Sequence, residues 1–145
     1  MEPSSPDYRE AVTRIFDTAH FVRDLGIELK EIGPGWCETL LRIERKHLQQ
    51  DGVVHAGVIA TMADHTAGAS SASLIPVSTI VLTVEFKVNF LRPATGEALR
   101  CRAEVLKPGK MLIVSESEVY ARRGEEETLV AKALVTLAVV PDPHG

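Results

Sequence analysis

The stretch from His55 to about Ser73 constrains the fold more than any other part of this 145-residue chain. It is long enough for a helix, yet it consists mostly of small and apolar residues and contains no lysine, arginine or glutamate. A helix on a protein surface needs a polar outer face, so a helix of this composition is expected to be buried on most sides. The sequence therefore predicts a central helix over residues 55–73.

Several segments with the pattern of β-strands could enclose this helix. Residues 79–90 alternate in polarity, which indicates a long strand with one apolar face; that face is formed by Ile80, Leu82, Val84, Phe86, Val88 and Phe90. Five more strands are predicted over about 27–32, 36–43, 97–106, 111–121 and 128–140. The turn Gly33-Pro34-Gly35 closes the first pair into a hairpin, and short turns rich in glycine, proline or charge make the last four strands an antiparallel meander.

The order of elements defines the expected architecture. Apolar residues at helical spacing predict an N-terminal helix over residues 8–21, and the polar, proline-rich residues 1–7 are predicted to be loose. An apolar helix beside long antiparallel strands must be covered by a sheet that curves around it. We expect one domain over residues 1–145, an α+β fold with a curved antiparallel sheet wrapped around a central helix.

Composition excludes some classes of function. Twenty acidic residues against sixteen lysines and arginines give a net charge of −4, which argues against nucleic-acid binding through overall basic charge. The sequence contains no run of about 18 apolar residues, so no transmembrane helix is predicted. The N-terminus lacks the pattern of a secretory signal. The spacing of the two cysteines and five histidines suggests neither a disulfide scaffold nor a metal site. The chain is predicted to be cytoplasmic.

Asp64 is the candidate for chemistry, because an isolated carboxylate in a buried helix is costly unless it is hydrogen-bonded or neutralised. Asp64 could lie at a solvent-exposed edge of the helix or form hydrogen bonds to the local backbone. Alternatively, it could act as a general base or nucleophile in a partly desolvated cleft. Small residues such as Gly68 flank it within one helical turn. They favour the second interpretation because they would let a slender ligand approach, although tight packing of helix on sheet would also use them.

The start of the same helix offers a second chemical group. The N–H groups of Ala56 and Gly57 lack intrahelical partners and lie at the positive end of the helix dipole, so they could bind an oxyanion. His55 lies nine residues before Asp64, which separates the two by half a turn and about 13.5 Å along one helix. If both serve one active site, two subunits must build it. His55 alone could also be a structural residue of the helix start.

The motif Gln49-Gln50-Asp51-Gly52-Val53-Val54-His55-Ala56-Gly57, followed by Asp64, resembles the hotdog-fold acyl-CoA thioesterases, and most closely the small thioesterases of the phenylacetate-degradation type. The resemblance extends from the first hairpin through the last strand. It implies that Asp64 is the catalytic carboxylate, that the Ala56 N–H polarises the thioester carbonyl and that His55 fixes the helix start. It also implies an active-site amide at Gln49, with Gln50 as the competing assignment, and a hydroxyl at Thr83 that positions the attacking water.

Coenzyme A carries phosphates, so its site needs basic groups. The candidates are Arg92, the pair Arg122-Arg123, and the turn formed by Lys107, Pro108, Gly109 and Lys110. The resemblance implies phosphate contacts at that turn. Solvated turn charges are the alternative explanation. Coenzyme A would be part of the substrate, so no separate cofactor is expected.

The leading hypothesis is a homodimeric or tetrameric acyl-CoA thioesterase with active sites shared between subunits. The alternatives are an acyl-thioester hydratase or dehydratase and a non-catalytic acyl-CoA-binding module. The sequence leaves open whether the acyl group is short, medium or aryl, and whether Asp64 acts as nucleophile or general base.

Overall fold

A six-stranded antiparallel sheet curves around one helix in the computed structural model, which describes all 145 residues. The helices are α1 (Tyr8–Thr18), α2 (His20–Leu25) and α3 (Ala56–Ala72), with a short 3-10 turn at Arg45–His47. The strands are β1 (Ile27–Gly33), β2 (Trp36–Arg42), β3 (Thr79–Phe90), β4 (Ala98–Pro108), β5 (Leu112–Arg123) and β6 (Glu126–Pro141). Their order in the sheet is β1-β2-β4-β5-β6-β3.

The predicted central helix and the α+β architecture are confirmed, since α3 lies against all six strands. Small polar side chains bring helix and sheet together: the hydroxyls of Thr39 and Thr66 are 2.8 Å apart, and Ser117 donates to the carbonyl of Ala63 at 2.7 Å. Buried polar groups are tolerated when they are paired in this way. Ala63, Thr66, Ala67 and Ser70 are small and fully buried on α3, and they allow this close packing. None of the helices combines the length and the apolar character needed to span a bilayer.

The N-terminal prediction needs two corrections. The single helix expected over residues 8–21 is two helices, because Ala19 adopts an extended backbone (φ −81°, ψ 91°) between α1 and α2. Residues 1–7, predicted to be loose, are anchored at Ser4. Ser4 donates its N–H to the carbonyl of Ser73 at 3.4 Å and its hydroxyl to the carbonyl of Ile75. The last carbonyls of a helix lack intrahelical partners, and Ser4 satisfies one of them just beyond α3.

The predicted meander is correct for β4, β5 and β6 and wrong for β3, which pairs with β6 at an edge of the sheet. The segment after β3 instead crosses the sequence that leads into α3, where Ala94 accepts from the Val54 N–H at 2.9 Å. It then reaches β2, with the Ile43 N–H donating to Glu97 at 2.9 Å. This crossing carries the chain from one edge region to the middle of the sheet.

A β-bulge overturns the prediction that β3 has one continuous apolar face. Thr83 pairs with Leu137 and Phe86 pairs with Val135, and Val84 is passed over between them. Leu137 and Val135 are buried on the helix side of β6, and directly paired residues share a face. The extra residue therefore turns both Thr83 and Phe86 toward α3, and it leaves Leu82 on the outer face.

Candidate active site

Asp64 and Thr83 are two predicted site residues that the structure brings into direct contact. The Thr83 hydroxyl donates to Asp64 Oδ1 at 2.7 Å, across the gap between the middle of α3 and the bulge of β3. Asp64 is half-buried, and burial raises the pKa of its carboxyl above the ordinary value, while the Thr83 hydrogen bond acts in the opposite direction. Oδ2 makes no hydrogen bond within the chain. A carboxylate held at one oxygen and free at the other can activate a water molecule or attack directly.

A cleft of about 690 Å³ opens beside this pair, between α1, the second half of α3 and β3. Asp64, Thr83 and Gly68 lie in its wall. A Cβ added to Gly68 would meet only Leu137, at an ordinary contact distance of 3.8 Å. Packing within the chain therefore does not demand glycine there, and the missing side chain widens the cleft one helical turn beyond Asp64.

The start of α3 leaves one backbone donor open. His55 caps the helix, and its Nδ1 accepts from the Gly57 N–H at 2.8 Å, so that predicted oxyanion donor already has a partner. The Ala56 N–H has none within the chain and is exposed. Glycine at position 57 suits the cap, because a Cβ there would lie 3.0 Å from His55 Nδ1. The structure thus gives His55 a capping role and leaves Ala56 as the available donor.

Of the two candidate amides, Gln49 is the more constrained. It is half-buried, its N–H donates to Val53 at 2.8 Å, and its side-chain oxygen accepts from the Asp51 N–H at 3.2 Å. Gln50 is exposed, and its amide contacts only the Asp51 carboxylate at 3.3 Å. The Gln49 side-chain nitrogen makes no hydrogen bond within the chain and can serve as a donor.

Sequence reasoning missed His47, which anchors this loop. Its side chain is buried with 1% exposure; Nδ1 accepts from the Glu44 N–H at 2.9 Å, and Nε2 lies 2.6 Å from the Leu25 carbonyl. Its own carbonyl accepts from the His55 N–H at 2.8 Å. A lone histidine in a charged stretch carries no periodic signal, so nothing in the sequence marked this burial.

One chain does not bring all the predicted site residues together. Asp64 and Ala56 lie on one 17-residue α-helix, which keeps them about 12 Å apart along its axis. His55 and Ala56 lie at the start of α3 and Gln49 lies in the loop before it, whereas Asp64 and Thr83 line the cleft.

The basic residues predicted to bind the phosphates of coenzyme A also lie at opposite ends of α3. Arg92 follows β3 near the start of α3, and it donates to the Leu129 carbonyl at 2.8 Å. The turn of residues 107–110 lies at the other end of α3, because the neighbouring Val105 N–H donates to Gly35, and the Gly35 N–H donates to Ser73 Oγ. Lys107 and Lys110 are exposed and form no ion pair. Gly109 is required by the turn, since a Cβ would come within 2.1 Å of the Leu112 carbonyl oxygen.

Comparison with known proteins identifies the family of this site. The family model described as "Thioesterase superfamily" matches residues 51–128, which include the start of α3, Asp64 and Thr83. The chain belongs to the thioesterase superfamily. Its helix wrapped by a curved sheet is the hotdog fold found among these enzymes, so the predicted fold and family are confirmed. The reaction is accordingly thioester hydrolysis.

Three relatives illustrate the similarity. A thioesterase family protein from Silicibacter pomeroyi has a crystal structure that superposes with a TM-score of 0.91 at 38% identity, covering 93% of this chain and 99% of that one. A 1,4-dihydroxy-2-naphthoyl-CoA hydrolase from Listeria monocytogenes is 29% identical over 115 residues, 79% of this chain and 91% of that protein. Acyl-coenzyme A thioesterase 13 from Pongo abelii is 28% identical over 116 residues, 77% of this chain and 81% of that protein.

Proposed function

We propose that this thioesterase hydrolyses acyl-CoA to a free carboxylic acid and coenzyme A, at sites that each combine residues of two copies of the chain. One observation carries the proposal: a carboxylate held by Thr83 lines an open cleft, while the free N–H that could polarise the thioester carbonyl lies out of its reach on the same helix. A second copy can supply the missing half. The names of two relatives, which specify acyl-CoA substrates, support this choice of thioester.

The proposed chemistry uses the two halves in sequence. The Ala56 N–H of one copy, at the positive end of α3, binds the carbonyl oxygen as it becomes an oxyanion. Asp64 of the other copy takes a proton from water, and the resulting hydroxide adds to the carbonyl carbon. The carbon–sulfur bond then breaks, and the thiolate of coenzyme A leaves and regains a proton. Direct attack by Asp64 would instead form an acyl–enzyme anhydride that water cleaves.

The exposed edge of the sheet supports a homodimer. β3 has no neighbour on one side, and it exposes large apolar side chains, with 54% of Leu82, 60% of Val84 and 44% of Phe86 accessible. A long apolar edge strand is an association surface that monomeric proteins avoid. Since Thr83 lies on this strand, a copy docked there would approach Asp64. A tetramer of two such dimers is the assembly we propose.

Exposed basic side chains are proposed to bind the coenzyme A end of the substrate. Arg92, Lys107 and Lys110 are exposed and free of ion pairs, so phosphates can reach them without breaking an existing ion pair. Because the two groups lie at opposite ends of α3, each site of a dimer would use different members from the two copies. We propose a cytoplasmic setting, in which the buried cysteines Cys37 and Cys101 stay reduced.

Mixing two inactive variants tests the shared site. Asp64→Ala and His55→Ala remove opposite halves, so random exchange of subunits should place one intact site in each mixed dimer and recover about a quarter of wild-type activity. Thiol release from a panel of acyl-CoAs is the readout. Asp64→Ala mixed with Asp64→Asn is the matched control, because both variants lack the same half and no intact site can form.

Size-exclusion chromatography and circular dichroism should first show that each variant folds and assembles like the wild type. If exchanged mixtures of Asp64→Ala and His55→Ala release no more thiol than their unmixed components, the shared site is wrong. If the wild type releases no thiol from any acyl-CoA, the proposed substrate class is wrong. Hydration of crotonyl-CoA faster than its hydrolysis would favour the hydratase.

A further inference from the structure

The free N–H of Ala56 lies between two backbone groups that are hydrogen-bonded within the chain. On one side, the His55 N–H donates to the His47 carbonyl at 2.8 Å. On the other side, the Gly57 N–H donates to His55 Nδ1 at 2.8 Å. A donor whose neighbours are fixed in this way can stabilise an oxyanion without first having to reorganise.

His47 lies directly beside this donor, yet it cannot touch a substrate. The chain leaves His47, forms the loop of residues 48–54 and returns so that His55 bonds to the His47 carbonyl. The backbone of His47 therefore sets where the next peptide group, that of Ala56, can lie. The His47 side chain is only 1% exposed, so it can influence the reaction only through this backbone.

Two hydrogen bonds of the imidazole ring hold His47 in place. Nδ1 accepts from the Glu44 N–H at 2.9 Å, so Nε2 carries the proton and donates to the Leu25 carbonyl at 2.6 Å. The contact with Glu44 lies within one 3-10 turn. The contact with Leu25 joins this turn to the end of α2, where helix carbonyls lack intrahelical partners. Because α2 is fixed in the core through Val22, the bond to Leu25 is the long-range anchor of the turn.

We propose that His47 is a positioning residue for catalysis, whose bond to Leu25 holds the backbone that presents the Ala56 N–H to the thioester carbonyl. This inference rests on the proposed acyl-CoA hydrolysis at a shared site, and it assigns His47 to the oxyanion half of that site. Without the anchor, the donor can move away from the position where negative charge develops. Because that charge forms only in the transition state, loss of the anchor should lower kcat and change KM little.

Two substitutions separate the two contacts of the ring. His47→Asn keeps an acceptor for the Glu44 N–H but is too short to reach Leu25, so kcat should fall by roughly ten- to a hundredfold. His47→Gln can still donate to the Leu25 carbonyl, and water can reach the exposed Glu44, so this variant should keep about half or more of the wild-type kcat. His144→Asn, at an exposed histidine near the C-terminus, is the matched control and should behave like the wild type.

Mixing His47→Asn with other variants shows which half of the site His47 serves. After exchange of subunits, a mixture with Asp64→Ala should recover about a quarter of wild-type activity, because each mixed dimer regains one intact site. A mixture with His55→Ala should stay near the mean of its unmixed components, because both variants are impaired in the same half. A general loss of stability would not depend on the partner variant in this way.

Circular dichroism and size-exclusion chromatography should first show that each variant folds and assembles. His47→Thr serves if His47→Asn folds poorly, since its hydroxyl can accept from Glu44 but cannot reach Leu25. A wild-type kcat in His47→Asn, no rescue of kcat by His47→Gln, or a recovery in mixtures that does not depend on the partner overturns the inference. The mixture of Asp64→Ala with His55→Ala is the positive control: if it also recovers no activity, the shared site of the proposed function is wrong as well.

Discussion

Replacing Thr83 by valine should shift the pH dependence of this enzyme. Valine preserves the shape of threonine but removes the hydroxyl that donates to Asp64 Oδ1 at 2.7 Å. That hydrogen bond stabilises the ionised carboxylate and opposes the effect of burial, which raises the pKa of Asp64. Without it the pKa should rise further. Both proposed roles of Asp64 require the carboxylate, so activity on the acid side should be lost at higher pH in the variant than in the wild type.

The size of this shift follows from the strength of a hydrogen bond to a charged group. Such a bond contributes about 1.5–3 kcal/mol, and about 1.36 kcal/mol corresponds to one pKa unit. Because Thr83 is exposed and Asp64 only half-buried, water will replace part of the lost interaction. We therefore expect the acid limb of the kcat/KM profile to move upward by about one pH unit.

The profile should be measured on one acyl-CoA by following the thioester absorbance, which avoids thiol reagents at low pH. Thr136→Val is the matched control: Thr136 lies on the outer face of β6 and donates to Glu85 at 3.5 Å, away from Asp64. Its acid limb should coincide with that of the wild type. An unmoved limb in Thr83→Val, or one displaced to lower pH, would show that the Thr83 hydroxyl does not stabilise the ionised Asp64 carboxylate.

Two further predictions concern the histidines. His65 has a pKa of about 4 in the folded chain against an ordinary 6.5, so the unfolded state binds more protons between these values, and stability should fall as pH decreases from about 6.5 to 4. His65→Phe should abolish this pH-dependent part of the free energy of unfolding, which is at most about 3 kcal/mol. Urea unfolding of both proteins at pH 7 and pH 4.5 measures it. An equal loss of stability between the two pH values in both proteins would refute the prediction. His47→Asn can still accept from the Glu44 N–H but is too short to reach Leu25, and it should lose about 1–3 kcal/mol of stability and lower kcat/KM by loosening the loop before His55. A variant as stable and active as wild type would show that the His47 ring does not hold that loop.

The composition of one segment was enough to predict the central helix, because a 17-residue helix without a charged face must be buried on most sides. The same feature made Asp64 conspicuous, since an isolated charge stands out only against an apolar background. Both predictions rest on local properties of one segment. They did not require knowledge of which strands pair.

The errors arise where long-range pairing decides the structure. The bulge at Val84 exchanges the two faces of β3 after Thr83. The alternation of apolar and polar residues over 79–90 nevertheless continues through this position without a break. The position of β3 beside β6, rather than β4, likewise follows from how the chain crosses the start of α3. His47 is buried only because the carbonyl of Leu25 and the N–H of Glu44 meet its ring. No sequence spacing encodes those contacts.

Three energetically unfavourable features of the isolated chain lie close together beside α3. Burial disfavours the charge on Asp64, and His65 carries an unsatisfied nitrogen. The adjacent edge of β3 exposes Leu82, Val84 and Phe86 to water. Each costs free energy that better-matched residues would avoid, whereas the other buried side-chain polar atoms are paired. A ligand that pairs with Asp64, or a second copy that covers the edge of β3, binds the folded state alone and therefore stabilises it. The side of α3 that carries these costs is thus a side where a substrate and a second subunit would each contribute stability.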